Sequence, residues 1–234
     1  YLSNNTRAYI KNASFTGNTA GNGGAIYLKG SYLEMDGATF NGNAATTKAG
    51  GIYAVQNELD DGTIITSTLV LNKIEAIGNS ATDCGFAYLA YTDAEIYASH
   101  FDGNTVTNSS AVIYLATGAN TQIYGSVFEN NEAAKNGGVI TSYATDATVL
   151  IQDCEFLNNT CHGYGGVLHV SGKTQLTMYD ITAIGNSATH GGFMYETAAG
   201  TVVTVGGLTV SGNEAPNGPT IWGNTLNADM YLDK

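Results

Sequence analysis

Three groups of side chains in this chain have the types and spacing to do chemistry. Glu58, Asp60 and Asp61 place three carboxylates within four residues, raw material for glycoside hydrolysis or for holding a divalent cation. His162 and His190 fall at similar turn positions of neighbouring repeats and are expected to approach one another. Two imidazoles without a third ligand are a weak metal set. His100 occupies an outward strand position and reads as solvent-facing. Cys84, Cys154 and Cys161 are odd in number, so they form no complete disulfide framework. Cys154 fits a small core residue, a bridge from it to Cys161 stays open, and Cys84 reads as a free thiol.

Each group has a plainer explanation. Three acids in one loop are usually solvated, and turn histidines are usually exposed. A polysaccharide lyase needs a base near acidic cation ligands, and the sole arginine, Arg7, is far in sequence from any acidic cluster. No catalytic residue, metal ligand or cofactor is therefore assigned. The net charge of −12 repels phosphate backbones and excludes nucleic acid as an expected partner. No apolar run approaches the roughly 20 residues of a membrane-spanning helix.

What must position any site is a repeat. Asparagine recurs at Asn18, Asn43, Asn79, Asn104, Asn131, Asn159, Asn186 and Asn213, with spacings of 25, 36, 25, 27, 28, 27 and 27 residues. Five of these have phenylalanine three positions earlier: Phe15, Phe40, Phe101, Phe128 and Phe156. A pair of small residues follows each asparagine, among them Gly23-Gly24, Gly50-Gly51, Cys84-Gly85 and Gly137-Gly138. Between them run segments of four to six residues with period-two alternation, the strand pattern. Apolar or small residues fill the eighth and fifth positions before each asparagine, as in Ile96 and Ser99 before Asn104.

Such a repeat specifies an all-β fold: a single-stranded, right-handed parallel β-helix of about eight coils of about 27 residues. Coils about 4.8 Å apart make a rod roughly 40 Å long. The asparagines fit an inward ladder linking coil to coil. Residues 1–234 read as one β-helix domain, a segment of a longer solenoid, with residues 56–62 as an inserted loop.

Phe-x-x-Asn together with Gly23-Gly24-Ala25-Ile26 resembles the repeat pair of the chlamydial polymorphic membrane proteins, on a pectin-lyase-like architecture. Later copies read Gly-Gly-Ile, Gly-Gly-Val or Gly-Gly-Phe. The resemblance covers nearly the whole chain and implies a surface-displayed β-helix passenger with adhesive or structural roles. No autotransporter barrel is legible in these residues, so anchoring by that route is not carried over.

Outward positions add a candidate binding face. Tyr27, Tyr53, Tyr88, Tyr114, Thr141, His169, Tyr195 and Trp222 form one column, and Ala25, Gly51, Phe86, Val112, Val139, Val167, Phe193 and Thr220 are expected beside it on the same side. A contiguous apolar patch marks an interface, and stacked tyrosines also suit sugar rings. Replacing Tyr88 and Tyr114 by Ala is expected to abolish association and leave the fold intact. Sequons at Asn4, Asn12, Asn108 and Asn158 are candidate glycosylation sites, no more numerous than the composition generates by chance.

The chain starts at Tyr1 without an initiator methionine, so a leader was removed or the chain is a piece of something longer. Ala8 and Ile10 are already in register at the start, and Ala228 and Met230 suit a ninth coil. Neither end shows a polar capping helix, which suits end-to-end stacking into a filament. The expectation is a non-enzymatic extracellular or cell-surface protein, structural or adhesive, that self-associates or meets other domains of a larger surface protein. The alternative is a carbohydrate-binding module or polysaccharide-degrading enzyme on the same scaffold.

Overall fold

Every regular element among the described residues is a short strand, and nearly every strand pairs in parallel with its counterpart one coil away. The computed structural model describes residues 1–223 and the backbone of the strand Asp229–Asp233. Ala228 lies outside the described residues, whereas Met230 pairs by its backbone with Val203. About eight coils stack into a solenoid with three sheets along its sides. The nine-stranded sheet takes the strand that follows the glycine corner, from Leu2–Ser3 to Ile221–Gly223. The fifteen-stranded sheet takes the strands before the asparagine, and the six-stranded sheet the strand after it.

Each coil bends where the backbone turns left-handed. One such residue precedes the asparagine, as in Gly42, Gly103 and Asn158, with φ of 62°, 62° and 54°. Another opens the corner ahead of the nine-stranded sheet. Glycine tolerates this conformation without cost, but Ala49, Cys84 and Ser110 adopt it too, at φ of 60°, 65° and 60°. The second corner residue is small for a different reason. A Cβ on Gly24 would lie 2.4 Å from the Gly50 carbonyl oxygen, and one on Gly166 2.0 Å from that of Gly192. Successive coils touch there through bare backbone.

The corner corrects two expectations. In the second coil the pair is Ala49-Gly50, not Gly50-Gly51, since Ala49 holds the left-handed position and Gly50 abuts Gly85. The residue after the pair points inward, so Phe86, Val112, Val139, Val167 and Phe193 are fully buried in the core and form no part of an outer face. The left-handed residue interrupts the alternation, and two consecutive residues enter the interior, as with Phe86 and Ala87.

Inward files fill the rod. Met35, Leu71, Ile96, Ile123, Ile151 and Met178 lie directly across from one another in the ladder, each with no exposed surface. The phenylalanines stack beside them: Phe15 on Phe40 at 4.8 Å, Phe101 on Phe128 at 4.7 Å and Phe128 on Phe156 at 5.1 Å between ring centroids. Alanine replaces phenylalanine at Ala76 and Ala183, and in both coils a corner residue supplies the ring instead. Phe86 bridges Phe40 and Phe101 at 5.2 Å to each, and Phe193 meets Phe156 at 6.2 Å.

The asparagine side chains run down the interior in a hydrogen-bonded line. Asn104 Nδ2 donates to Asn131 Oδ1 at 3.0 Å and to the Ala76 carbonyl at 2.9 Å. Its Oδ1 accepts from the Asn79 backbone N–H and from Asn79 Nδ2, both at 3.0 Å. The same pattern recurs from Asn18 to Asn213. Where the spacing reaches 36 residues, between Asn43 and Asn79, the extra chain forms an antiparallel hairpin of Asn57–Glu58 against Ile64–Ile65. The carboxamide register holds while the surplus is expelled to the surface.

Two stability outcomes follow from these contacts. Asn104→Ala strands the Asn79 amide, the Ala76 carbonyl and one acceptor of Asn131, so urea unfolding should show a loss of at least about 3 kcal/mol, at roughly 1–3 kcal/mol per orphaned group. Phe86→Ala should cost about 3–5 kcal/mol. Adding Ala76→Phe restores a ring between Phe40 and Phe101 and should recover more than half of that loss. A double variant no more stable than Phe86→Ala alone would show that the two positions do not share one space.

Candidate binding face

Parallel pairing sets the geometry of the outward aromatic column. Tyr27, Tyr53, Tyr88 and Tyr114 are directly paired residues of neighbouring strands, so the strand spacing itself places their rings at stacking distance. Centroid separations are 4.9 Å for Tyr27–Tyr53, 5.0 Å for Tyr53–Tyr88 and 5.2 Å for Tyr88–Tyr114. Tyr1 extends the row to one side, 5.0 Å from Tyr27. His169, Tyr195 and Trp222 continue it on the other, at 5.4 Å and then 4.6 Å with the last two rings 4° from parallel.

Thr141 should break the row, since it holds the column position between Tyr114 and His169. It is buried and donates its hydroxyl to the Asn136 carbonyl. Tyr143, two residues on and on the same side of the strand, spans the gap at 5.9 Å from Tyr114 and 5.1 Å from His169. Tyr164 adds a ring from the corner, 4.6 Å from Tyr195 and 5.2 Å from His190. Sequence reasoning missed both tyrosines. Period-two alternation points to Tyr143, whereas Tyr164 precedes the corner glycine and carries no strand signal.

The column is not uniformly open. Tyr88, Tyr195 and His169 are only 9%, 6% and 4% exposed, whereas Tyr143 and Tyr164 are each 40% exposed. Tyr88 packs with Ala49 and Cys84, and the Lys48 ammonium lies 4.2 Å from its ring centroid. Removing Tyr88 therefore removes part of the fold, contrary to the expectation that a change there leaves the structure intact. Tyr143 and Tyr164 are the members a partner can reach.

Burial sets the protonation states. It pushes the Tyr53 and Tyr143 phenols up to about 12 and Tyr114 higher still, so all stay neutral at physiological pH. It raises the thiols of Cys154 and Cys161 to about 11 and that of Cys84 further. All three cysteines are free and buried. Burial also pulls His169 down to about 4, and its Nδ1 has no hydrogen-bond partner.

The remaining candidates are scattered. His162 and His190 face different sides: His162 Nε2 lies 2.6 Å from Glu132 beside the six-stranded sheet, while His190 packs against Tyr164 and Trp222. They align in pairs with other residues, Tyr164 with His190 by a backbone bridge and His162 with Thr189 by a hydrogen bond, which is why the turn spacing misleads. His100 contacts Glu129 at 2.7 Å. Glu58, Asp60 and Asp61 line an open hollow of about 570 Å³ with Asn4 and Asn57. Among the described residues no three His, Cys, Asp or Glu side chains converge to hold a metal ion. Of the sequon asparagines, Asn4, Asn12 and Asn158 are exposed, and Asn108 is half-buried with Nδ2 bound to Asp83.

Comparison with known proteins adds two findings. Residues 12–29 and 125–143 match the Chlamydia polymorphic membrane protein repeat, and both segments run from just before a Phe-x-x-Asn to just beyond a glycine pair. The chain is also 26% identical over 179 residues to the probable autotransporter YfaL of Escherichia coli (strain K12), a match covering 75% of this chain and 13% of that protein. The chain thus spans a small part of the relative it matches. No solved structure matches it.

The His169 environment has a pH signature. The unfolded imidazole binds its proton near 6.5 and the folded one only near 4, so the unfolded state gains a proton first as pH falls. Stability present above pH 6.5 is lost on the way to pH 4, by about 2 to 3 kcal/mol at pH 4.5. Urea unfolding of His169→Tyr at pH 7.5 and 4.5 should show a correspondingly shallower loss than the parent. Equal losses in both proteins would contradict this.

Proposed function

We propose that this chain is a stretch of a surface-displayed β-solenoid, a structural and adhesive rod whose aromatic column meets a partner. The surface setting rests on the repeat match and the autotransporter relative. The binding role rests on one observation: a row of nine rings from Tyr1 to Trp222, no two neighbours more than 5.9 Å apart, running the described length of one sheet.

A binder fits the chemistry better than an enzyme does. The His–carboxylate pairs His100–Glu129 and His162–Glu132 lie on different sheets of the solenoid, both partly open to water. Neither sits beside the other carboxylates that a hydrolase needs. The aromatic row offers flat apolar area with hydroxyls at its rim, suited to holding rather than transforming a partner.

The test separates the reachable rings from the structural ones. Beads coated with the protein are counted on cultured cells for the parent and for Tyr143→Ser with Tyr164→Ser. Adhesion should fall at least about tenfold, equivalent to about 1.4 kcal/mol, while the unfolding transition moves by less than about 1 kcal/mol. Undiminished adhesion of the variant, or parent beads that adhere no better than albumin-coated ones, would refute the proposal.

A further inference from the structure

We propose that the part of the column where Tyr164, Tyr195 and Trp222 converge with His169 and His190 is a cation–π seat for a lysine side chain from a basic partner segment. The inference rests on the binding role proposed above and names the chemistry that the face selects.

The fold already contains one such seat. Lys48, one residue before the left-handed corner residue Ala49, sets its ammonium 4.2 Å from the Tyr88 centroid. The residues at this pre-corner position stack along the rod through the bridges Lys48–Asp83, Ser109–Asn136, Asn136–Tyr164 and Tyr164–His190. Later in the stack the position is aromatic, and Tyr164 and His190 bring their rings over the column instead of a cation. Tyr164 lies 4.6 Å from Tyr195, and His190 lies 5.6 Å from Trp222. The cation–π contacts among the described residues are Arg7 on Tyr32 and Lys48 on Tyr88, so this cluster is rich in π faces and holds no cation from its own chain.

Charge and hydrogen bonding select the occupant. An aromatic face attracts a cation through its quadrupole, and a chain of net charge −12 draws basic segments toward it. Nδ1 of His169 and Nδ1 of His190 are buried without hydrogen-bond partners, and the exposed Tyr164 ring lies against both imidazoles. A primary ammonium that displaces the edge of Tyr164 can donate to such a nitrogen. A quaternary ammonium has no N–H to give, which favours lysine.

The probe is a ten-residue peptide alternating lysine and glycine, compared with the same peptide acetylated on every lysine. Binding to the 234-residue chain is measured by equilibrium dialysis in 0.15 M salt, and Trp222, the sole tryptophan, reports by fluorescence whether the peptide reaches this cluster. The lysine peptide should bind saturably and shift Trp222 emission. Acetylation and Tyr164→Leu should each weaken binding at least tenfold, and Tyr164→Phe, which keeps the π face, should retain it. Equal binding of the acetylated peptide would overturn the cation seat while leaving an apolar partner face standing. Equal binding by Tyr164→Leu, or binding that leaves Trp222 silent, would mean that net charge alone recruits the peptide, and would also overturn it. Absence of binding by either peptide does the same. Peptide binding with undiminished bead adhesion of the Tyr143 and Tyr164 variant would keep the seat and refute the adhesive role.

Discussion

A buried carboxamide must have all its hydrogen bonds made, and that requirement holds this solenoid in register. Each interior asparagine donates twice and accepts twice, as Asn104 does between Asn79, Asn131 and the Ala76 carbonyl. A coil displaced by one residue would leave amide groups unpaired in an apolar interior, at a cost of several kcal/mol. The asparagine therefore fixes where each coil returns, and leaves the length of the path free. Spacings from 25 to 36 residues coexist along the line, and the long one discharges its surplus into the Asn57–Ile65 hairpin.

That division explains what the sequence discloses. Periodic positions are legible because a straight rod repeats its demands, so Met35, Leu71 and Ile96 announce one inward file. The corner was harder to read. Ala49, Cys84 and Ser110 take a left-handed conformation that their side chains do not advertise, and alternation counted through such a residue assigns the wrong face. Phe86 and Val112 were placed outside for that reason and lie wholly inside. Tyr164 was invisible on the same grounds, because it stands on a turn whose direction only the backbone reveals.

The aromatic column serves two ends through one spacing. Strands a fixed distance apart stack whatever flat side chains they carry, so Tyr53 and Tyr88 help hold coil to coil while they present a continuous edge. Burial then sorts the row into members that the fold needs and members that a partner can use. Tyr88 and His169 belong to the first class, Tyr143 and Tyr164 to the second. The surface-protein relatives and the rod shape agree with a molecule that displays a long face rather than a cleft.

The exchange of Phe for Ala at position 76, with Phe86 filling the same space, bears on how such proteins are recognised. The interior asks each rung for a given volume of ring and is indifferent to which stretch of chain delivers it. Two coils have moved their ring ten residues along the sequence, from the sites of Ala76 and Ala183 to Phe86 and Phe193, without loss of packing. A signature written as fixed letters at fixed offsets cannot follow that move. It passes over such coils, although they are as complete as the two segments it detects. Tandem copies of this fold can thus drift out of textual likeness while remaining physically the same unit.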